Sequence, residues 1–177
     1  MTKSLSILIV MVLCCRVGDG FGQTYSSIDD IVQAYYKAVS IGEKESRMAA
    51  YEDIFIPSGT ITSVKTSATK PSSVKTLSWG DLIRETAPFY SDFEINLIEN
   101  EREVDYYLDI ATAHTLVNQR SLQKSTGKTY SQFLWIDFDL VYFDDRWYIS
   151  AINWIDQSSR QPIQNALLTD TLWHQSE

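Results

Sequence analysis

The 177-residue chain predicts an α+β fold, with helices packed on a strongly curved antiparallel sheet to form a cone-shaped pocket. Three observations lead there. Between about positions 27 and 90, apolar residues recur mostly at helical spacing, behind residues suited to capping. From position 93 to 156 the period changes to two, and the strands are long. Helices first and sheet second gives two layers, each with an apolar side that only the other can cover.

The elements follow in chain order. Ser26 and Ser27 can cap a helix whose first turn holds Asp29 and Asp30, which complement the positive end of the helix dipole. Ile28, Ile31, Val32, Tyr35 and Val39 share its apolar face, and Gly42 ends it. A second helix is predicted over residues 43–55, with Met48, Tyr51 and Phe55 on one face, until Pro57 and Gly59 break it. Residues 60–66 are β-branched at alternate positions and predict a short strand. Residues 67–76 are Ser, Thr, Lys and Pro with little else, and predict a loop. Ser78 caps a third helix that places Trp79, Leu82, Ile83, Thr86 and Tyr90 on one face, with Pro88 limiting its length.

Phe93, Ile95 and Leu97 then alternate with Glu94 and Asn96. A second long strand covers residues 106–122, with Ala111, Ala113 and Val117 on one side and Ile110, Thr112, His114 and Leu116 on the other. A third, over residues 130–143, carries Leu134, Ile136, Phe138, Leu140 and Tyr142 as an unbroken apolar face. Its other face mixes Phe133, Trp135, Asp137, Asp139 and Val141. Asp144-Asp145 makes a tight turn into a last strand over residues 147–155. Strands of this length twist strongly, and the hollow beneath such a sheet is where a ligand fits. The apolar alternation assigns Leu134, Ile136, Phe138 and Leu140 to that hollow.

The ends are read differently. Lys3, an apolar run over residues 5–13, and Gly18, Gly20 and Gly22 ahead of Gln23 predict a cleaved signal peptide over residues 1–22. The run is shorter than the roughly 20 residues of a spanning helix. Cys14 and Cys15 raise a lipoprotein alternative, but the small residue expected before a lipidated cysteine is missing; an uncleaved anchor is the other alternative. The expectation is therefore an exported protein, periplasmic or secreted, with one domain over residues 23–156 and a polar tail over residues 157–177. Both cysteines lie in the signal, so the mature chain contains none and has neither disulfide nor thiolate chemistry. The net charge is −8, and loss of Lys3, Arg16 and Asp19 leaves −9. No basic footprint for nucleic acid or anionic lipid is present.

The order of elements resembles the nuclear transport factor 2-like superfamily, which includes ketosteroid isomerase, scytalone dehydratase and the SnoaL-like cyclases. The resemblance spans residues 28–156. Its best local matches are Phe55-Ile56-Pro57-Ser58-Gly59-Thr60-Ile61 at a helix-to-strand corner, Asp109-Ile110-Ala111-Thr112-Ala113, and the Asp145-Arg146-Trp147-Tyr148-Ile149 hairpin. It implies a pocket, and commonly a homodimer through the sheet face. Catalytic relatives carry an aspartate just after the corner proline as general base. This chain has Ser58 there, which cannot do that work unaided.

Candidate pocket residues are Tyr35, Tyr51 and Tyr90 on the inward helix faces, Trp79 at the start of the third helix, His114 and Phe138 on strands, and Asn153 in the last strand. If the chain is an enzyme, His114 is the candidate acid or base, and the resemblance makes Tyr35 an oxyanion donor. The bland alternatives are a solvated histidine and tyrosines packed as core. Asp137 and Asp139 do acid–base work only if their face looks inward. Only two histidines occur, 60 positions apart at His114 and His174, so no metal site is expected, and no cofactor motif is found. The favoured reading is a non-catalytic domain that binds a small hydrophobic or aromatic molecule. The alternative is a SnoaL-like or ketosteroid isomerase-like enzyme moving a proton on a hydrophobic carbonyl compound. A third is a structural dimer whose hollow is filled by side chains.

Overall fold

A computed structural model describes residues 25–65 and 73–156. The predicted signal peptide and the polar tail lie outside the described residues. Three helices, α1 (Ile28–Val39), α2 (Lys44–Ile54) and α3 (Trp79–Asp92), pack on one sheet. Its strands are β1 (Phe55–Lys65), β2 (Ser73–Ser78), β3 (Phe93–Tyr107), β4 (Ile110–Gln123), β5 (Thr129–Phe143) and β6 (Arg146–Asp156), in the order β2-β1-β6-β5-β4-β3. Among the described residues no helix is long and apolar enough to cross a membrane.

The helix starts follow the capping logic. Ser27 accepts from the Asp30 amide at 3.1 Å, and Asp30 accepts from the Ser27 amide at 3.1 Å, closing a capping box. The Ser27 hydroxyl, which donates to the Asp30 carboxylate at 2.7 Å, and then the Ser27 amide hold that carboxyl below its usual range. Ser78 caps α3 by accepting from the Asp81 amide at 3.1 Å. The β5–β6 turn places both Asp144 and Asp145 at positive φ, 52° and 61°, the backbone a two-residue hairpin requires.

Four expectations need correction. The sheet is mixed rather than antiparallel, because β1 pairs parallel to β6. The end of the predicted loop, residues 73–76, belongs to β2, which pairs antiparallel with β1 from Thr60↔Ser78 to Lys65↔Ser73. It is an edge strand whose first four residues are exposed and whose apolar residues, Val74 and Leu77, fall on opposite sides, so it carries no apolar alternation to read. The strand predicted from Thr60 begins at Phe55, directly after α2. Gly59 serves the corner between: a Cβ there would sit 2.8 Å from the Phe55 ring. Finally, α3 runs through Pro88 to Asp92. Pro88 and Arg84 are both exposed, so the Arg84 carbonyl that lost its donor lies on the wet side of the helix.

Leu134, Ile136, Phe138 and Leu140 are buried on the inner face of β5, as the alternation predicts. Two bulges keep the curved sheet apolar inside. One lies between Glu99 and Glu101 on β3, the other at Ser150 on β6, where Asp139 faces Ala151 and Leu140 faces Ile149. The extra residue lets both Ile149 and Ile152 point inward. Ser150 ties the bulge by donating from Oγ to the Asp139 carbonyl at 2.9 Å.

Candidate functional site

The space between helices and sheet is filled at one end and hollow at the other. At the filled end α1 contributes Tyr35 and Tyr36, which meet the Phe138 ring edge-on at centroid distances of 5.2 and 6.1 Å. Tyr51 stacks on Phe55 at 5.3 Å. Ala113, opposite Phe138 in register and itself fully buried, is small enough to leave room for these rings.

Beyond Tyr35 the rings give out and a cavity of about 820 Å³ opens. Val39, Ile83, Ile95, Leu97, Leu134 and Ile136 supply its apolar lining, Tyr35, Tyr51 and Tyr90 its phenols, and Trp154 an aromatic wall. The β1–β2 pair and α3 form the rim, where Lys75 donates to Glu85 in an exposed ion pair. Burial pushes the Tyr35 and Tyr51 phenols well above their usual 10.0. Tyr90 is pushed up to about 12, burial raising it and the Arg47 charge opposing. All three are therefore neutral at pH 7 and can donate.

Arg47 is the residue that pattern reasoning missed. It lines the cavity and is 1% exposed. Its Nη1 donates to the Ile41 carbonyl at 2.6 Å and lies 3.4 Å from that of Gly42, and its Cζ sits 3.5 Å from the Tyr90 ring centroid. Nε and Nη2 are buried without a partner, and among the described residues no acidic side chain pairs with it. A signal did exist. Arg47, Tyr51 and Ile54 are the buried residues of α2, at the i, i+4, i+7 spacing of one helical stripe. The predicted face of Met48, Tyr51 and Phe55 shares Tyr51 with this stripe and differs from it by one position at each end.

The other candidates separate from the cavity. Phe138 is fully buried among the aromatics of the filled end. Trp79 stacks near Phe55 and donates from its indole to the Ile56 carbonyl at 3.3 Å, outside the lining. His114 does not face the interior. The Ala111/Ala113/Val117 side of β4 is the buried one, which puts His114 on the outer face. There its Nδ1 lies 2.9 Å from Asp137 and its Nε2 3.7 Å from Asp105, with all three side chains substantially exposed. Asn153 also lies on that face and is exposed, because the Ser150 bulge sends Ile152 and Trp154 inward. Asp137 and Asp139 are likewise on the outer side.

Comparison with known proteins agrees on the architecture. No protein-family model matches the chain, and no curated protein matches it. Solved structures do. A protein of Kribbella flavida superposes with a TM-score of 0.58 at 15% identity, covering 75% of this chain and 90% of its own. A nuclear transport factor 2-like protein with a cystatin-like fold from Novosphingobium aromaticivorans gives 0.55 at 14%, covering 78% and 84%. A suggested dehydratase of the nuclear transport factor 2-like family from Streptomyces avermitilis gives 0.53 at 15%, covering 75% and 94%. Three capped helices on a curved six-stranded sheet, with a hollow left between them, thus give this chain the nuclear transport factor 2-like, or cystatin-like, fold.

Proposed function

We propose that this chain is a non-catalytic domain that binds a small, largely hydrophobic molecule in the hollow between α1, α2, α3 and the inner face of the sheet. The observation that carries the reading is the cavity itself: about 820 Å³, apolar and aromatic over most of its wall, with phenols and one guanidinium at fixed places. That size and lining suit a drug-sized ligand. A proton-transfer enzyme would need a base at the substrate. His114 and the paired aspartates lie on the other face, and Ser58 stands where a base is expected by resemblance. Glu85 is the carboxylate in the lining, and it sits at the rim, paired with Lys75. A suggested dehydratase shares the fold, but fold alone does not carry chemistry.

Export through a cleaved signal and pairing of two copies through the outer sheet face belong to the same reading. Ile98, Ile110 and Phe133 are exposed apolar groups on that face. Native mass spectrometry of the protein recovered from the culture medium or periplasm tests the whole. The expected result is a chain starting near Gln23, a dimer mass, and an added mass released on unfolding. Binding is rejected if no small molecule is retained and none of a panel of hydrophobic compounds raises the melting temperature.

A further inference from the structure

We infer that the hollow is a receptor for a hydrophobic acid, whose carboxylate docks on Nε and Nη2 of Arg47. The inference rests on the binding reading above and names the class of ligand. A guanidinium has two usable edges. In Arg47 the Nη1 end is committed to the α1–α2 loop, through the Ile41 carbonyl at 2.6 Å. Nε and Nη2 carry their N–H groups on a common edge, the side-on fork that matches the two oxygens of a carboxylate. These are the two atoms left buried and without partners.

A buried charge with no counter-ion is costly, because burial removes water and nothing replaces it. Arg47 is not an orphan of poor packing. The Tyr90 ring lies against its Cζ, and Tyr51 shares its helical stripe and the cavity wall. The fold therefore holds the guanidinium in one place while leaving its fork unmatched. The cation of Lys75 is taken by Glu85 at the rim. A single buried positive charge beside Leu134, Ile136 and Val39 suits one negative charge on an apolar body. A phosphate, with its higher charge, would call for a second cation beside the fork, and the two lysines of the lining, Lys65 and Lys75, are exposed at the rim. Tyr90, neutral at pH 7, sits beside the same group and can add a donor.

The test uses decanoate, decanamide and decanol, which share a chain and differ at the head. Binding to the purified protein is followed by calorimetry at pH 7. Decanoate is expected to bind about tenfold or more tightly than either neutral compound, the worth of a charge-assisted pair. Arg47→Met, which keeps the apolar stem, is expected to level the three affinities while decanol binding stays within about threefold of wild type. If Arg47→Met fails to fold by circular dichroism, the wild-type preference decides alone. Equal affinity for all three in the wild type overturns the inference and leaves the binding reading standing. So does a decanoate preference that survives in folded Arg47→Met. Binding of none of the three overturns both.

Discussion

The two ends of the same inner sheet face are built from similar material and do opposite things. At one end Tyr35, Tyr36, Phe55 and Phe138 close on each other, with ring centroids 5.2 to 6.4 Å apart. At the other, Leu134, Ile95 and Leu97 are buried but line an open space beneath the helices, and that space is the cavity. The difference lies in what the helices contribute. α1 sends aromatic rings onto β5, opposite the small Ala113 of β4. α2 and α3 send Arg47 and Tyr90, which pack on each other at the cavity wall. A filled end supplies stability, and an unfilled end on the same rigid wall supplies a site.

The largest way to break this comparison is Phe138→Ala. Phe138 is fully buried at the centre of the filled end, so its loss is expected to cost about 3–5 kcal/mol in urea unfolding. A loss under about 1 kcal/mol would mean that the end is not the stabilising one. A pair of enlargements sharpens the contrast. Ala113→Leu adds volume where no room exists and is expected to destabilise by about 1–3 kcal/mol. Leu97→Trp adds more volume on the cavity wall, is expected to stay within about 1 kcal/mol, and should abolish decanol binding. Equal penalties at the two positions would erase the distinction.

The smallest effect is silent at neutral pH. The folded state raises the Tyr90 phenol from 10.0 to about 12. A group raised on folding contributes stability that is fully present below its unfolded value and is lost as pH climbs through the folded one. Tyr90 stability should therefore fade between about pH 10 and 12, and Tyr90→Phe should lose stability less steeply there than wild type. Tyr35 and Tyr51, raised further by deeper burial, should show no phenolate absorbance before Tyr90 does. Ionisation of all three together would mean that the protein opens as one unit.

Much of the frame was legible in the chain because its signals are local. Ser27 and Ser78 cap, Asp144-Asp145 turns, and Leu134 to Leu140 alternate, each within a few residues of sequence. What escaped depends on distant partners. β2 has one apolar residue on each side, Val74 and Leu77, and becomes a strand because β1 offers it a ladder. The parallel β1–β6 pairing joins positions some ninety residues apart. Alternation puts His114 with the larger Ile110 and Leu116, which reads as the inward side, whereas the buried side of β4 is the one with small alanines, because rings from elsewhere fill the space above it. Arg47 hides in the sequence because a charged residue in a helix reads as a solvated one until its stripe with Tyr51 and Ile54 is drawn.

The bulge at Ser150 is a phase setting for the last strand. Side chains beyond it alternate from a reset origin, so Trp154 lines the cavity while Asn153 faces out. Deleting that one residue would leave Ile149 and Ala151 facing Leu140 and Asp139 in plain alternation with Trp154 still inside, whereas inserting one residue between Ile152 and Asn153 would shift the alternation by half a period and exchange an indole for an amide in the wall. A single codon thus separates two pocket chemistries on one scaffold, with no side chain in the cavity itself mutated. Tryptophan emission moving toward that of a solvated indole in that insertion would register the exchange, and an unchanged spectrum would show that the strand bulges again to restore its phase.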